Sequence, residues 1–163
     1  MKPLTLMTAI MVLFSASLTA APKDAKRKGR LDGIKCPVKG APVKANRIVK
    51  YRKANIYFCC PGCVAKFKKS RKKYMTKVNH QLLATGHAKQ EKCPIRFTKL
   101  NPEQTLEVAG AKVSFCCGSC KGKVEMAKGE GQLELVFGRK AFSKAFKVGA
   151  IKPKFGRDED EDD

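Results

Sequence analysis

All eight cysteines of this chain fall into two sets related by a single shift. Cys36, Cys59, Cys60 and Cys63 recur as Cys93, Cys116, Cys117 and Cys120, each displaced by 57 residues with no insertion. Neighbours follow the same shift. Cys36-Pro37-Val38-Lys39 matches Cys93-Pro94-Ile95-Arg96, and Ile56-Tyr57-Phe58-Cys59-Cys60 matches Val113-Ser114-Phe115-Cys116-Cys117. Chance is a poor explanation for eight cysteines in one register. A unit repeated at this period is one small supersecondary motif per copy.

Each copy reads as a hairpin followed by a helix. In copy one, residues 43–50 suit a strand, Lys53-Ala54-Asn55 a turn, and residues 56–59 a second strand. Copy two reads the same way, with Leu106-Glu107-Val108, a turn at Ala109-Gly110, and residues 112–116. Pro61 suits a helix first turn. Val64, Phe67, Tyr74, Met75, Val78 and Leu82 then follow helical spacing, and Gly86 is a stop. In copy two, the helix from about Gly118 is interrupted near Gly129 and Gly131, with short helices expected over 132–137 and 140–146. The expected fold class is α+β: two small ββα modules in tandem, each with a cysteine cluster, plus extra C-terminal helices.

The ends read differently from the repeats. Residues 1–20 have a short positive start, an apolar run and small residues before the cut, the pattern of a secretory signal peptide with cleavage near Ala20. Residues 21–33 read as a disordered basic linker, 34–88 as module one, 91–149 as module two, and 152–163 as a disordered acidic tail. No later segment is apolar enough to span a bilayer, so the chain is expected to be periplasmic or secreted and not membrane-spanning after cleavage. The body from Pro22 to Arg157 carries 34 basic and eight acidic residues. Such a surface attracts anions. A core for two small modules without tryptophan is thin, and chains of this size often need metals or disulfides.

The cysteine spacing carries the chemistry. Cys59 and Cys63 are four apart, at a strand end and on the first helical turn, so they share one face. The helix N-terminus favours the thiolate, the form that binds metal. Cys36 precedes a proline in a tight turn and approaches from a separate loop. Three thiolates then converge, and Cys93, Cys116 and Cys120 repeat the arrangement. Cys60 and Cys117 admit two readings: small core residues on the opposite strand face, or a fourth ligand turned inward.

The pattern Cys-x22-Cys-x3-Cys resembles the TRASH and YHS group of metal-binding modules. A phenylalanine precedes the second cysteine, and an aromatic follows one turn after the third. Copy one supplies Tyr57-Phe58-Cys59-Cys60-Pro61-Gly62-Cys63 and Phe67. Copy two supplies Ser114-Phe115-Cys116-Cys117-Gly118-Ser119-Cys120, with Val124 in place of the aromatic. The resemblance covers about 30 residues of each copy. It implies a treble-clef-like unit and the binding, sensing or trafficking of heavy metals. Four-cysteine relatives of that fold carry a second knuckle cysteine where this chain has Lys39 and Arg96. A three-thiolate site suits Cu(I) or another soft ion as well as zinc, so Zn2+ or Cu+ is the expected cofactor.

Other readings compete. An exported chain with eight cysteines is also compatible with a disulfide framework, here a stapled basic module that binds anionic envelope polymers or lipids. Cys60 to Cys63 and Cys117 to Cys120 satisfy the Cys-x-x-Cys spacing of a thiol–disulfide oxidoreductase, but the βαβ alternation of a thioredoxin fold is missing. His80 and His87 have no partners in copy two, so packing or surface roles are expected of them. Residues 66–73 form a basic stretch that reads either as a binding face for phosphate groups, such as those of anionic envelope polymers or lipid head groups, or as a solvated helix face, and export argues against nucleic acid as the natural partner. No catalytic constellation is present, so the sequence reading is a non-enzymatic metal-binding protein of the cell envelope.

Overall fold

A computed structural model describes residues 31–149. The stretches expected to be a signal peptide and an acidic tail, and most of the expected basic linker, lie outside the described residues. Two antiparallel hairpins carry the repeat. The first joins β1 (Lys44–Tyr51) to β2 (Ala54–Phe58), and the second joins β4 (Asn101–Val108) to β5 (Ala111–Phe115). Their registers correspond residue for residue under the shift of 57. Ile48 faces Tyr57 as Thr105 faces Ser114, and an irregularity after Lys44 recurs after Asn101. Each hairpin leads into a nine-residue helix, α1 (Pro61–Lys69) or α3 (Gly118–Met126).

The first hairpin turn is Arg52-Lys53, not Lys53-Ala54-Asn55 as the sequence suggested. Both residues have positive φ, 46° and 64°, which matches the twist of a two-residue hairpin turn but is usually supplied by Asn-Gly. Copy two places Ala109 and Gly110 there, at φ 51° and 84°. The expected single helix from Pro61 to Leu82 is also divided. Ser70, at φ −136° and ψ 57°, ends α1, and α2 (Arg71–Ala84) starts afresh. The residue 57 later, Ala127, also ends α3, there with extended backbone at φ −73° and ψ 137°. The hydrophobic period runs through Ser70 without a mark, so only the repeat locates the break.

After the break the two copies differ. The long helix α2 buries Val78, Asn79, Gln81 and Leu82. It joins copy two through α4 (Glu130–Phe137): Lys77 Nζ pairs with Glu130 Oε1 at 2.6 Å, Thr76 Oγ1 donates to Glu134 Oε2 at 2.6 Å, and Asn79 Nδ2 donates to the Phe137 carbonyl at 2.8 Å. His80 Nε2 donates to the carbonyl of Ala109, in the β4–β5 turn, at 3.0 Å, and its ring meets Phe137 edge-on. The connector forms β3 (Ala88–Gln90), which pairs antiparallel with β6 (Phe146–Val148) after α5 (Arg139–Ala145). Neither short strand has a sequence signal. One continuous core results, from Ile56, Phe58, Phe67, Val78 and Leu82 to Val113, Phe115, Val124, Phe137 and Phe142. The turn at Leu31 to Gly33 falls in the stretch expected as linker, and its Leu31 is buried.

Two glutamines fix the strands that lead into the cysteine pairs. The Gln81 side chain takes the Tyr57 N–H at 2.8 Å and donates to the Tyr57 carbonyl at 2.9 Å and the Lys35 carbonyl at 3.1 Å. Gln90 treats Ser114 in the same way, at 2.9 and 2.7 Å. Tyr57 and Ser114 are equivalent positions, but Gln81 and Gln90 are not. Each carboxamide supplies what a neighbouring strand would, and buried backbone groups left bare are costly. Gln81→Leu should therefore destabilise the fold by about 2–3 kcal/mol in chemical denaturation, because it strands both Tyr57 groups.

Burial lowers the pKa of His80 from its ordinary 6.5, against backbone hydrogen bonds at Ala109 and Val108 that raise it. The folded state thus holds this imidazole neutral more strongly than the unfolded chain does. Its contribution to stability is complete above about pH 6.5 and is lost as the pH falls toward the lower folded value. The difference in melting temperature between about pH 7.5 and about pH 5.5 should shrink in His80→Gln.

Candidate metal centres

Each cysteine cluster forms where a tight loop meets a strand-to-helix junction. The loop of copy one is closed by the Cys36 N–H to the Ala41 carbonyl and the Gly40 N–H to the Cys36 carbonyl, both at 2.8 Å. Copy two reproduces it, with the Cys93 N–H to the Thr98 carbonyl at 3.0 Å and the Phe97 N–H to the Cys93 carbonyl at 2.8 Å. The residue that closes the loop needs a left-handed backbone: Gly40 has φ 72° and its counterpart Phe97 has φ 60°. Glycine adopts this freely, while phenylalanine is strained there. The Phe97 ring is half-buried against the core, and Lys144 Nζ lies 5.1 Å from its centroid.

The helix supplies the other sulfurs. Cys60 and Cys117 are the N-cap residues of α1 and α3, with extended backbone and no side-chain cap bond. Cys59 and Cys116 precede them, and Cys63 and Cys120 lie one turn in. The result is two groups of sulfurs, Cys36/Cys59/Cys63 and Cys93/Cys116/Cys120, each with all its atoms within 4.8 Å of one another. The Cys59 and Cys63 sulfurs are 3.5 Å apart, and those of Cys116 and Cys120 are 3.6 Å apart. Thiolates about 2.3 Å from one tetrahedral ion lie about 3.8 Å from each other, so these two sulfur pairs are close to the spacing around an ion of zinc size. Cys36, Cys63, Cys93 and Cys120 are buried, whereas Cys59, Cys60, Cys116 and Cys117 are half-exposed, and all eight thiols are free.

Cys60 and Cys117 are therefore not sealed core residues. The Cys60 sulfur lies 3.4 Å from that of Cys63, and the Cys117 sulfur lies 3.7 Å from that of Cys116. They stand beside the triads and are half-buried, like Cys59 and Cys116. Neither histidine reaches a cluster. His80 is bound to Ala109, and His87 Nδ1 lies 3.2 Å from the Thr85 carbonyl with its ring edge-on to Tyr57.

The loops also set the charge on the sulfurs. Burial pushes the Cys36 thiol up, but the N–H groups of Lys39, Cys59 and Val38 together outweigh it and hold the thiol below its ordinary value. Burial of Cys93 is outweighed in the same way by Arg96, Cys116 and Ile95. Burial and then the adjacent sulfurs push Cys63 up, and push Cys120 up to about 12. Burial likewise raises Cys59. Cys60 is lowered to about 7 by the backbone and sulfur of Cys63, with a smaller contribution from the Lys39 ammonium. Each triad thus has one sulfur prepared for negative charge, Cys36 or Cys93, while burial and adjacent sulfurs hold Cys59 and Cys63 in copy one and Cys120 in copy two as thiols. Three adjacent thiolates can coexist only around a cation.

No family model, curated protein or solved structure matches this chain. The structure brings together two cysteine groups that could hold metal ions, within a mixed α/β fold of small hairpins and, among the described residues, five helices. The supporting glutamines, the left-handed loop closure and the half-exposed state of Cys60 and Cys117 were not read from the sequence. The shift of Gly40 onto Phe97 was a usable signal for the loop. Gly40→Val should cost about 1–2 kcal/mol by forcing a branched residue into a left-handed backbone, measured as a lower denaturation midpoint.

Proposed function

We propose that this chain is a non-enzymatic, exported metal-binding protein of the cell envelope with one thiolate site per repeat. Cys36, Cys59 and Cys63 hold one ion, and Cys93, Cys116 and Cys120 hold the other. The observation that carries the reading is the same three-sulfur convergence in both repeats, within 4.8 Å each time. The resemblance to TRASH and YHS modules, and hence to a treble-clef-like unit, supports the same class of function. Zn2+ and Cu+ both suit the donor set.

Cys59 and Cys60 in copy one, and Cys116 and Cys117 in copy two, are only half-buried, so each site keeps a solvent-accessible edge where a further ligand arrives or leaves. That exposure favours binding and transfer of an ion over a closed structural site, which surrounds its metal with protein. A disulfide enzyme is less well supported. The close Cys60–Cys63 contact fits its spacing, but in copy two the corresponding short contact is Cys116–Cys117 instead.

The test is metal content. Full chain purified under reducing conditions and loaded with zinc or Cu(I) should carry two ions per chain by elemental mass spectrometry. Cys36→Ser and Cys93→Ser should each leave one, and the double variant none. A wild-type value near zero with both ions would sink the proposal.

A further inference from the structure

The positive charge is concentrated on copy one. Residues 34–90 contain 15 lysines and arginines and no aspartate or glutamate, whereas residues 91–149 contain 11 and six. Its densest part is Lys66, Lys68, Lys69, Arg71, Lys72 and Lys73, which span the end of α1, the break at Ser70 and the start of α2. All six are exposed.

The fold does not require this arrangement. Lys66, Lys68 and Lys69 suit a helix C-terminus, but Arg71, Lys72 and Lys73 occupy the first turn of α2, which has no acidic residue. Free N–H groups already make that end positive, so the three cations oppose the helix dipole. Copy two ends its helix at the equivalent residue with Glu125, Met126, Gly129 and Glu130 in the places of Lys68, Lys69, Lys72 and Lys73. Among the described residues the one ion pair is Lys77–Glu130, outside the run.

We infer that this face docks the protein onto an anionic phospholipid bilayer. Of the 15 cations, 12 are lysines, point charges that suit a diffuse layer of head groups and not the bidentate recognition of a defined site. The exposed large hydrophobic residue among those described is Met126, on copy two. Among the described residues, therefore, no exposed aromatic offers a platform for stacking nucleic-acid bases. None of the described residues of this face supplies an apolar wedge for the membrane either, so its attachment is electrostatic and reversible by salt. The same helix turns Cys63 and Phe67 inward, so docking leaves the sulfur triad on the protein side. The choice of a membrane over nucleic acid rests on the exported reading above, while the charged face itself is independent of the metal sites.

The experiment is cosedimentation of the full chain with vesicles of about 30% phosphatidylglycerol in phosphatidylcholine, and with phosphatidylcholine alone. Binding to the anionic vesicles is expected at about 0.05 M salt, falling tenfold or more at about 0.5 M, with none to the zwitterionic ones. Changing Lys68, Lys69, Lys72 and Lys73 together to Glu should reduce binding roughly tenfold or more. The melting temperature should hold or rise, because the α2 dipole is no longer opposed. The same four positions changed to Gln give an intermediate loss and guard against an effect of the new acids. Undiminished binding by both variants, or equal binding to the two vesicle types, overturns the proposal. Release of the chain from vesicles by a single-stranded oligonucleotide at equal phosphate concentration also overturns it and assigns the face to nucleic acid. Metal content measured on the same samples should not change with the variants, so either proposal can fail without the other.

Discussion

The meeting of a backbone loop with the first turn of a helix is the constraint on which the rest of this structure depends. Three sulfurs come within 4.8 Å only if the loop at Cys36 is held closed, β2 delivers Cys59 at its end, and α1 starts immediately after Cys60. Each condition has its own physical support: the left-handed residue at Gly40, the carboxamide of Gln81 on Tyr57, and Pro61 at the head of the helix. Copy two meets the same conditions with Phe97, Gln90 and Gly118. The hairpin registers, the irregularities in β1 and β4 and the buried aromatics serve this junction. The elements beyond it vary between the copies.

Charge and burial act in opposite directions at the junction. Backbone N–H groups favour an anionic sulfur at Cys36 and Cys93, while burial and adjacent sulfurs hold Cys63 and Cys120 protonated. These opposed effects leave the sulfur clusters electrostatically unbalanced in a way that a soft cation could correct. Around copy one this chemistry sits in a stretch without acidic residues. Sulfur groups that could hold a cation thus lie within a surface that attracts anions.

What the sequence made legible is what repetition makes legible. The cysteine groups, the hairpins and the helices that follow them could all be read at the shift of 57, because the same local physics is written twice. The errors lie where one copy lacks a conventional signal. Arg52-Lys53 forms a turn usually marked by Asn-Gly, and Ser70 breaks a helix whose apolar period continues. In both cases the partner copy held the answer, in Ala109-Gly110 and Ala127. Gln81, Gln90, β3 and β6 were illegible for another reason. Their roles come from tertiary contacts between residues far apart in the chain, and no local pattern encodes them. Cys60 resisted a reading because strand alternation ceases to apply at a helix cap.

The two glutamines also bear on how independent the copies are. Gln81 is carried by the helix of the copy it supports, whereas Gln90 lies in the connector and reaches forward to Ser114. A chain made of two identical first copies would seal both strands from within. A chain made of two second copies, each cut at its first cysteine, would leave both Ser114 edges bare. The halves are alike in what they present to an ion and unlike in what secures them, so they are not interchangeable parts. The duplication has become a single structure whose boundary runs through a hydrogen bond.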